Sequence, residues 1–163
     1  MKKSVKFLVQ AALIAALYAT LTLVLGTFGY GPVQFRIAEA LTLLPAIMPA
    51  SIPGLVVGCM FANWIGGFGI IDVVFGSLAS LLAAISTYLL RRHKFLYPFP
   101  PVLFNSIIVG SYVYFLFDNS LTLGLTMLSI GISELIICYG LGLPLITLIK
   151  KNPALRKVFE IED

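Results

Sequence analysis

The stretch that decides the fold is LTLGLTMLSIGISELIICYGLGLPLITLI, residues 121–149. It carries a single charged side chain, Glu134, and as a helix it would reach roughly 43 Å at about 1.5 Å per residue. That exceeds the roughly 30 Å of a bilayer's hydrocarbon, so the segment reads as a membrane span that must tilt, bend or protrude. Asp118 and Asn119 precede it and Lys150 and Lys151 follow it, so its two ends differ in charge.

Outward from this segment the whole chain has the same character. Its 163 residues are 60% hydrophobic and 11% charged, with a mean hydropathy of +1.03. Too little polar surface remains to cover a soluble core, and the expected class is an all-α membrane protein forming one integral membrane domain over 1–163. Six spans are expected, at about 7–27, 37–50, 52–66, 71–90, 101–117 and 121–149. The second and third are short and carry Pro45, Pro49 and Pro53, so a re-entrant hairpin over 37–66 with four full spans is the alternative. Apolar length favours six.

Ten of eleven basic residues fall in three clusters: Lys2, Lys3, Lys6; Arg91, Arg92, Lys94; and Lys150, Lys151, Arg156, Lys157. Clusters of this kind mark cytoplasmic ends, and an even number of crossings between them satisfies either span count with both termini cytoplasmic. The net charge of +4 is therefore read as topology and contact with membrane lipid headgroups, and nucleic acid is not expected as a partner. Lys2 and Lys3 precede an apolar run too long for a signal peptide, which reads as a retained first helix of a multi-pass cell-membrane protein. The tail from Asn152 reads as a solvated, partly disordered end. Cys59 and Cys138 lie in apolar stretches and read as small hydrophobes.

The remaining cation, Arg36, falls at the opposite face with Glu39, Asp72 and Asp118. Glu134, deep in the sixth span, is costly unless it is paired, protonated or facing a polar cavity. Gly131 and Cys138, one turn to either side, would leave room for a ligand there; an interhelical hydrogen bond is the plainer reading. Glu39 follows Arg36 by three residues, so the pair serves either as ligand contact or as a structural ion pair. Asn63, Trp64 and Asp72 surround the Gly66–Gly69 turn, where Trp64 is either an interfacial anchor or a stacking platform and Asp72 either a ligand group or a helix cap. Asn105 reads as a packing residue, while Tyr112 and Tyr114 lie nearer ligand level. Ala11, Ala12, Ala15, Ala16 and Ala19 give overlapping AxxxA spacings, with a weaker GxxxG at Gly54 and Gly58.

No enzyme is expected. The one histidine, His93, sits in a basic cluster away from any partner, which leaves no HExxH and no His-based triad. There is no GxxxxGK[ST] to bind ATP, and two cysteines and one histidine make no metal site.

The run Phe35-Arg36-Ile37-Ala38-Glu39-Ala40-Leu41-Thr42-Leu43-Leu44-Pro45 resembles the queuosine-precursor transporter family, QueT. So does the later stretch with Asn63, Gly66, Asp72 and Gly76, and the alanine-rich first helix fits; together the resemblance covers about residues 8–150. It implies the substrate-binding S component of an energy-coupling factor (ECF) transporter, an ABC-type importer with a six-helix bundle and an outward-facing pocket. ATP would be hydrolysed by partners: a transmembrane coupling subunit and two cytoplasmic ATPases. The chain itself would need no cofactor. The AxxxA stripe would dock the coupling subunit through Ala11, Ala15 and Ala19 or through Ala12 and Ala16.

The implied substrate is a 7-deazaguanine such as preQ1, preQ0 or queuine, whose adjacent N–H donors suit a carboxylate. Glu134 and Glu39 would divide the ring edge and an aminomethyl cation between them, with Asn63 and Arg36 near the carbonyl, Asp72 in the same cluster, and Trp64, Tyr112 or Phe35 stacking on the ring. The glycine-rich 26–32 connection would be a lid. Two rival readings are a stand-alone proton-coupled carrier and a small membrane enzyme, each using Glu134.

Overall fold

The structure is a computed structural model that describes residues 3–26, 35–66, 69–116 and 120–159. The expected lid lies outside these residues apart from Gly26, as do Asp118 and Asn119. Every regular element among the described residues is helical: α1 (Lys3–Val24), α2 (Ile37–Ala46), α3 (Ser51–Gly66), α4 (Gly69–Leu89), α5 (Phe99–Leu116), α6 (Leu123–Lys151) and α7 (Pro153–Phe159). Four of them, α1, α4, α5 and α6, are long and apolar enough to cross a membrane.

The second expected segment is shorter than predicted. α2 ends at Ala46 because Pro45 and Pro49 prevent its continuation, and 47–50 turn into α3. It is a 3₁₀-helix of ten residues, long for that geometry, and nine of the ten are buried. A helix wound this way is tolerated at membrane depth when neighbouring protein covers it. Here α1, α3, α4 and α6 all pack on it. Gly142 of α6 permits the contact, since a Cβ there would lie 2.7 Å from Leu43 Cδ1 and 3.1 Å from the Ala40 carbonyl oxygen.

α1 and α3 pack most closely. A Cβ on Gly54 would stand 2.6 Å from the Ala11 carbonyl oxygen, and one on Gly58 would stand 2.7 Å from that of Ala15. The GxxxG of α3 and the Ala11–Ala15 side of α1 are thus one interface, while Ala12 and Ala16 are exposed. α5 meets α6 in a similar way: Gly110 faces Met127, Gly131 faces Ser106, and Ser106 Oγ donates to the Met127 carbonyl at 2.7 Å.

Two of the basic clusters meet, with Lys150 within electrostatic reach of Lys94. Arg91 stacks 4.1 Å over Tyr88, and Lys150 lies 5.9 Å from the centre of the Tyr97 ring, whose burial raises the phenol's pKa. The tail departs from the solvated end expected of it. Asn152 Oδ1 accepts from Ala154 N at 2.9 Å and starts α7, which returns Leu155 and Phe159 to the core.

Candidate functional site

Four side-chain hydrogen bonds tie the other ends of the helices together. Tyr18, six residues before the end of α1, donates to Glu39 Oε1 near the start of α2. Asn63, near the end of α3, donates from Nδ2 to the Asp72 carbonyl near the start of α4 at 3.0 Å. Tyr112, near the end of α5, donates to Asp72 Oδ1. Deeper down, Asn105 Nδ2 of α5 donates to Glu134 Oε1 of α6 at 2.8 Å. Both residues of that last pair are eleven positions from their helix ends, about 16 Å in. The result is a polar column between helices, with a shallow layer of Tyr18, Glu39, Asn63, Asp72 and Tyr112 above a deep pair.

The backbone is adapted to this column. Each of the three long helices α4, α5 and α6 opens into a π-helical turn, at Asp72–Gly76, Asn105–Val109 and Cys138–Gly142. The first two start at residues of the column, Asp72 and Asn105, and the third at Cys138, whose thiol meets Glu134 Oε2 at 3.8 Å. Such turns widen a helix locally and recur at functional sites. Gly76 closes the first of them, and a Cβ there would fall 2.5 Å from Asn63 Nδ2. Only glycine lets α4 approach Asn63 so closely.

The charge balance is uneven. Arg36, Glu39, Asp72 and Glu134 are each less than a tenth exposed, so three carboxyl groups share one guanidinium among the described residues. Arg36 precedes α2 in extended conformation and lies within electrostatic reach of Tyr18, Asp72 and Tyr112, and of both glutamates. Buried carboxylates in excess are costly unless protonated or met by donors. Among the described residues, four buried polar side-chain atoms have no hydrogen-bond partner: Glu39 Oε2, Asn63 Oδ1, Asp72 Oδ2 and Ser77 Oγ. Three of these, two carboxyl oxygens and an amide oxygen, accept when the carboxyl groups are ionised, and a ligand that presents donors would suit them.

Glu134 differs from the other two carboxylates. Its Oε1 has Asn105, and its Oε2 has the Cys138 thiol at 3.8 Å. The space that Gly131 was expected to leave for a ligand is filled by Ser106, because α5 packs there. Asp72, in turn, lies within the helix rather than capping it, since α4 begins at Gly69. Trp64 is 69% exposed and Phe35 37%, whereas the residues of the column are buried. Tyr114 contacts Phe115 and joins none of these bonds.

Sequence reasoning missed Tyr18 and Ser77; Asn105, read as a packing residue, does join two helices, and its partner is Glu134. Tyr18 had a visible signal as the one phenol in an aliphatic helix, buried to 1%. Tyr112 also walls an apolar cleft of about 470 Å³ between α4 and α5, lined by Phe75, Leu78, Ile108 and Phe115. That cleft faces outward with an aliphatic and aromatic lining and is distinct in chemistry from the column.

Among curated relatives, the queuosine precursor transporter QueT of Lactococcus lactis subsp. cremoris strain MG1363 is 38% identical over 85 residues, 50% of either chain. The chain spans about half the length of that relative in the match. No solved structure matches. The model of the QueT transporter family matches residues 8–151 of the 163, and on that extent the chain belongs to the QueT transporter family.

Proposed function

We propose that this chain is the substrate-binding S component of an ECF-type importer, capturing a 7-deazaguanine queuosine precursor from outside the cell. The observation that carries the reading is the set of acceptors left unpartnered in a buried, acid-rich column: Glu39 Oε2, Asp72 Oδ2 and Asn63 Oδ1. A deazaguanine ring presents adjacent N–H donors for a carboxylate and a carbonyl for a guanidinium, and Glu39 and Arg36 offer both. Tyr112 borders the same column and suits a ring face, and the exposed Phe35 and Trp64 have no stacking role in this reading. Glu134 supports the floor of the cup through Asn105.

In this reading the chain crosses the membrane six times with both termini cytoplasmic, and the column opens to the outside. α3, about 24 Å long by its sixteen residues, is short for a crossing, and thinning or tilt of its neighbours accommodates it. Energy comes from a coupling subunit and two ATPases. Of the two AxxxA registers on α1, Ala12 and Ala16 are the docking residues, because Ala11 and Ala15 are occupied by Gly54 and Gly58.

The test is titration of detergent-purified protein with preQ1, preQ0, queuine, riboflavin and thiamine, followed by uptake with and without the coupling module. Saturable binding to a deazaguanine alone, with uptake only when the module is present, is expected. Absence of deazaguanine binding overturns the substrate, and uptake without any ATPase overturns the S-component role.

A further inference from the structure

The two ends of the shallow layer offer different chemistry. Around Glu39 an acceptor lies within electrostatic reach of a cation: Oε2 is open, Tyr18 holds Oε1, and the Arg36 guanidinium acts on the carboxyl group. A carboxylate beside a guanidinium matches a lactam edge, which places an N–H donor next to a carbonyl acceptor. Around Gly76 the open atoms are Asp72 Oδ2, Asn63 Oδ1 and Ser77 Oγ, on residues 2%, 0% and 7% exposed. Asn63 spends its Nδ2 on the Asp72 carbonyl, which leaves its oxygen as the free end, and Tyr112 spends its proton on Asp72 Oδ1. That end therefore has one open carboxylate oxygen, one open amide oxygen and one hydroxyl, which matches the three N–H donors of an ammonium group. An arriving cation there also offsets the excess of buried acid.

Resting on the deazaguanine reading above, we propose that the cup divides its substrate between two carboxylates: Glu39 with Arg36 reads the lactam edge of the ring, and Asp72 with Asn63 and Ser77 binds a protonated amine arm. The preferred ligand is then a cationic, aminomethyl-bearing heterocycle over its uncharged counterparts. Glu134 touches neither part and acts as a positioning residue beneath them.

The experiment measures dissociation constants of preQ1, whose arm is an aminomethyl cation, and preQ0, whose arm is an uncharged nitrile, on the purified full chain. The wild-type protein is expected to prefer preQ1 by roughly 10-fold or more, as a charge-assisted hydrogen bond commands. Asp72→Asn is expected to weaken preQ1 by roughly 10- to 100-fold and preQ0 by less than about threefold, collapsing the preference. Glu39→Gln is expected to weaken both ligands alike. Equal losses for the two ligands in Asp72→Asn, or no loss, overturn the division of roles while leaving deazaguanine binding intact. Binding of neither ligand by the wild-type protein overturns the functional reading and this inference with it. Should Asp72→Asn fail to fold, the ligand-side comparison decides: equal wild-type affinity for 7-aminomethyl- and 7-methyl-7-deazaguanine overturns the proposal, and a preference of about 10-fold for the amine supports it.

Discussion

Gly76→Ala adds one methyl group at the point where α4 passes Asn63. The new Cβ would lie 2.5 Å from Asn63 Nδ2, against about 3.4 Å for ordinary contact, so about 0.9 Å must be found. Backbone shift of α4 is resisted by Tyr112 of α5, whose hydroxyl oxygen stands at 3.5 Å from the same Cβ position. Asn63 must therefore move, yet it is fully buried and held at 3.0 Å to the Asp72 carbonyl and 3.5 Å to Cys59 Sγ. Losing the first of those bonds leaves a buried donor unsatisfied, at a cost of about 1–3 kcal/mol, and swings Oδ1 out of the cup. Ligand affinity is expected to fall by roughly 5- to 150-fold, and the thermal midpoint to drop, measured by titration calorimetry and by thermal unfolding in detergent. Gly124→Ala is the matched control: it also lies in a helix, meets nothing within 4 Å, and should stabilise by about 0.5–1 kcal/mol without touching affinity. If Gly76→Ala binds preQ1 within twofold of wild type while remaining folded, the close approach of α4 to Asn63 does not shape the site.

Further consequences concern packing, the deep pair and assembly. Gly58→Leu drives a side chain into the Ala15 backbone and should destabilise the fold by about 1–3 kcal/mol or more; unchanged thermal unfolding would contradict the α1–α3 interface. Asn105→Leu removes the 2.8 Å donor of Glu134 and should cost about 1–3 kcal/mol of stability, with preQ1 and preQ0 weakened in the same proportion; an altered ratio between the ligands would mean Glu134 contacts the arm directly. Ala12→Leu with Ala16→Leu should abolish co-purification with the coupling subunit and preserve ligand binding, whereas Ala15→Leu should impair folding. Intact assembly in the Ala12/Ala16 variant would place docking elsewhere.

The helices were legible because hydrophobic length is a property of sequence alone: the long spans near 7–27, 71–90, 101–117 and 121–149 differ from the helices found by only a few residues at each end. The 3₁₀ winding of α2 was not, since it follows from Gly142 and the neighbours that close around 37–46, which are contacts between distant segments. Polar residues in apolar surroundings were visible one by one, so Arg36, Glu39, Asn63, Asp72, Tyr112 and Glu134 could be named. Which oxygen is used and which left open depends on partners far along the chain. Tyr18 reaches Glu39 across 21 residues, Tyr112 reaches Asp72 across 40, and Asn105 reaches Glu134 across 29. The overlapping alanine registers likewise look alike until α3 covers one of them.

The central claim is that the unpartnered acceptors of the shallow layer hold the substrate. A high-resolution structure of the protein with preQ1 tests it most directly. The account predicts ring N–H donors within hydrogen-bond distance of Glu39 Oε2, the aminomethyl nitrogen within reach of Asp72 Oδ2 and Asn63 Oδ1, and Glu134 still paired with Asn105. Ligand seated instead in the apolar cleft beside Phe75, with water on Glu39 and Asp72, would contradict it.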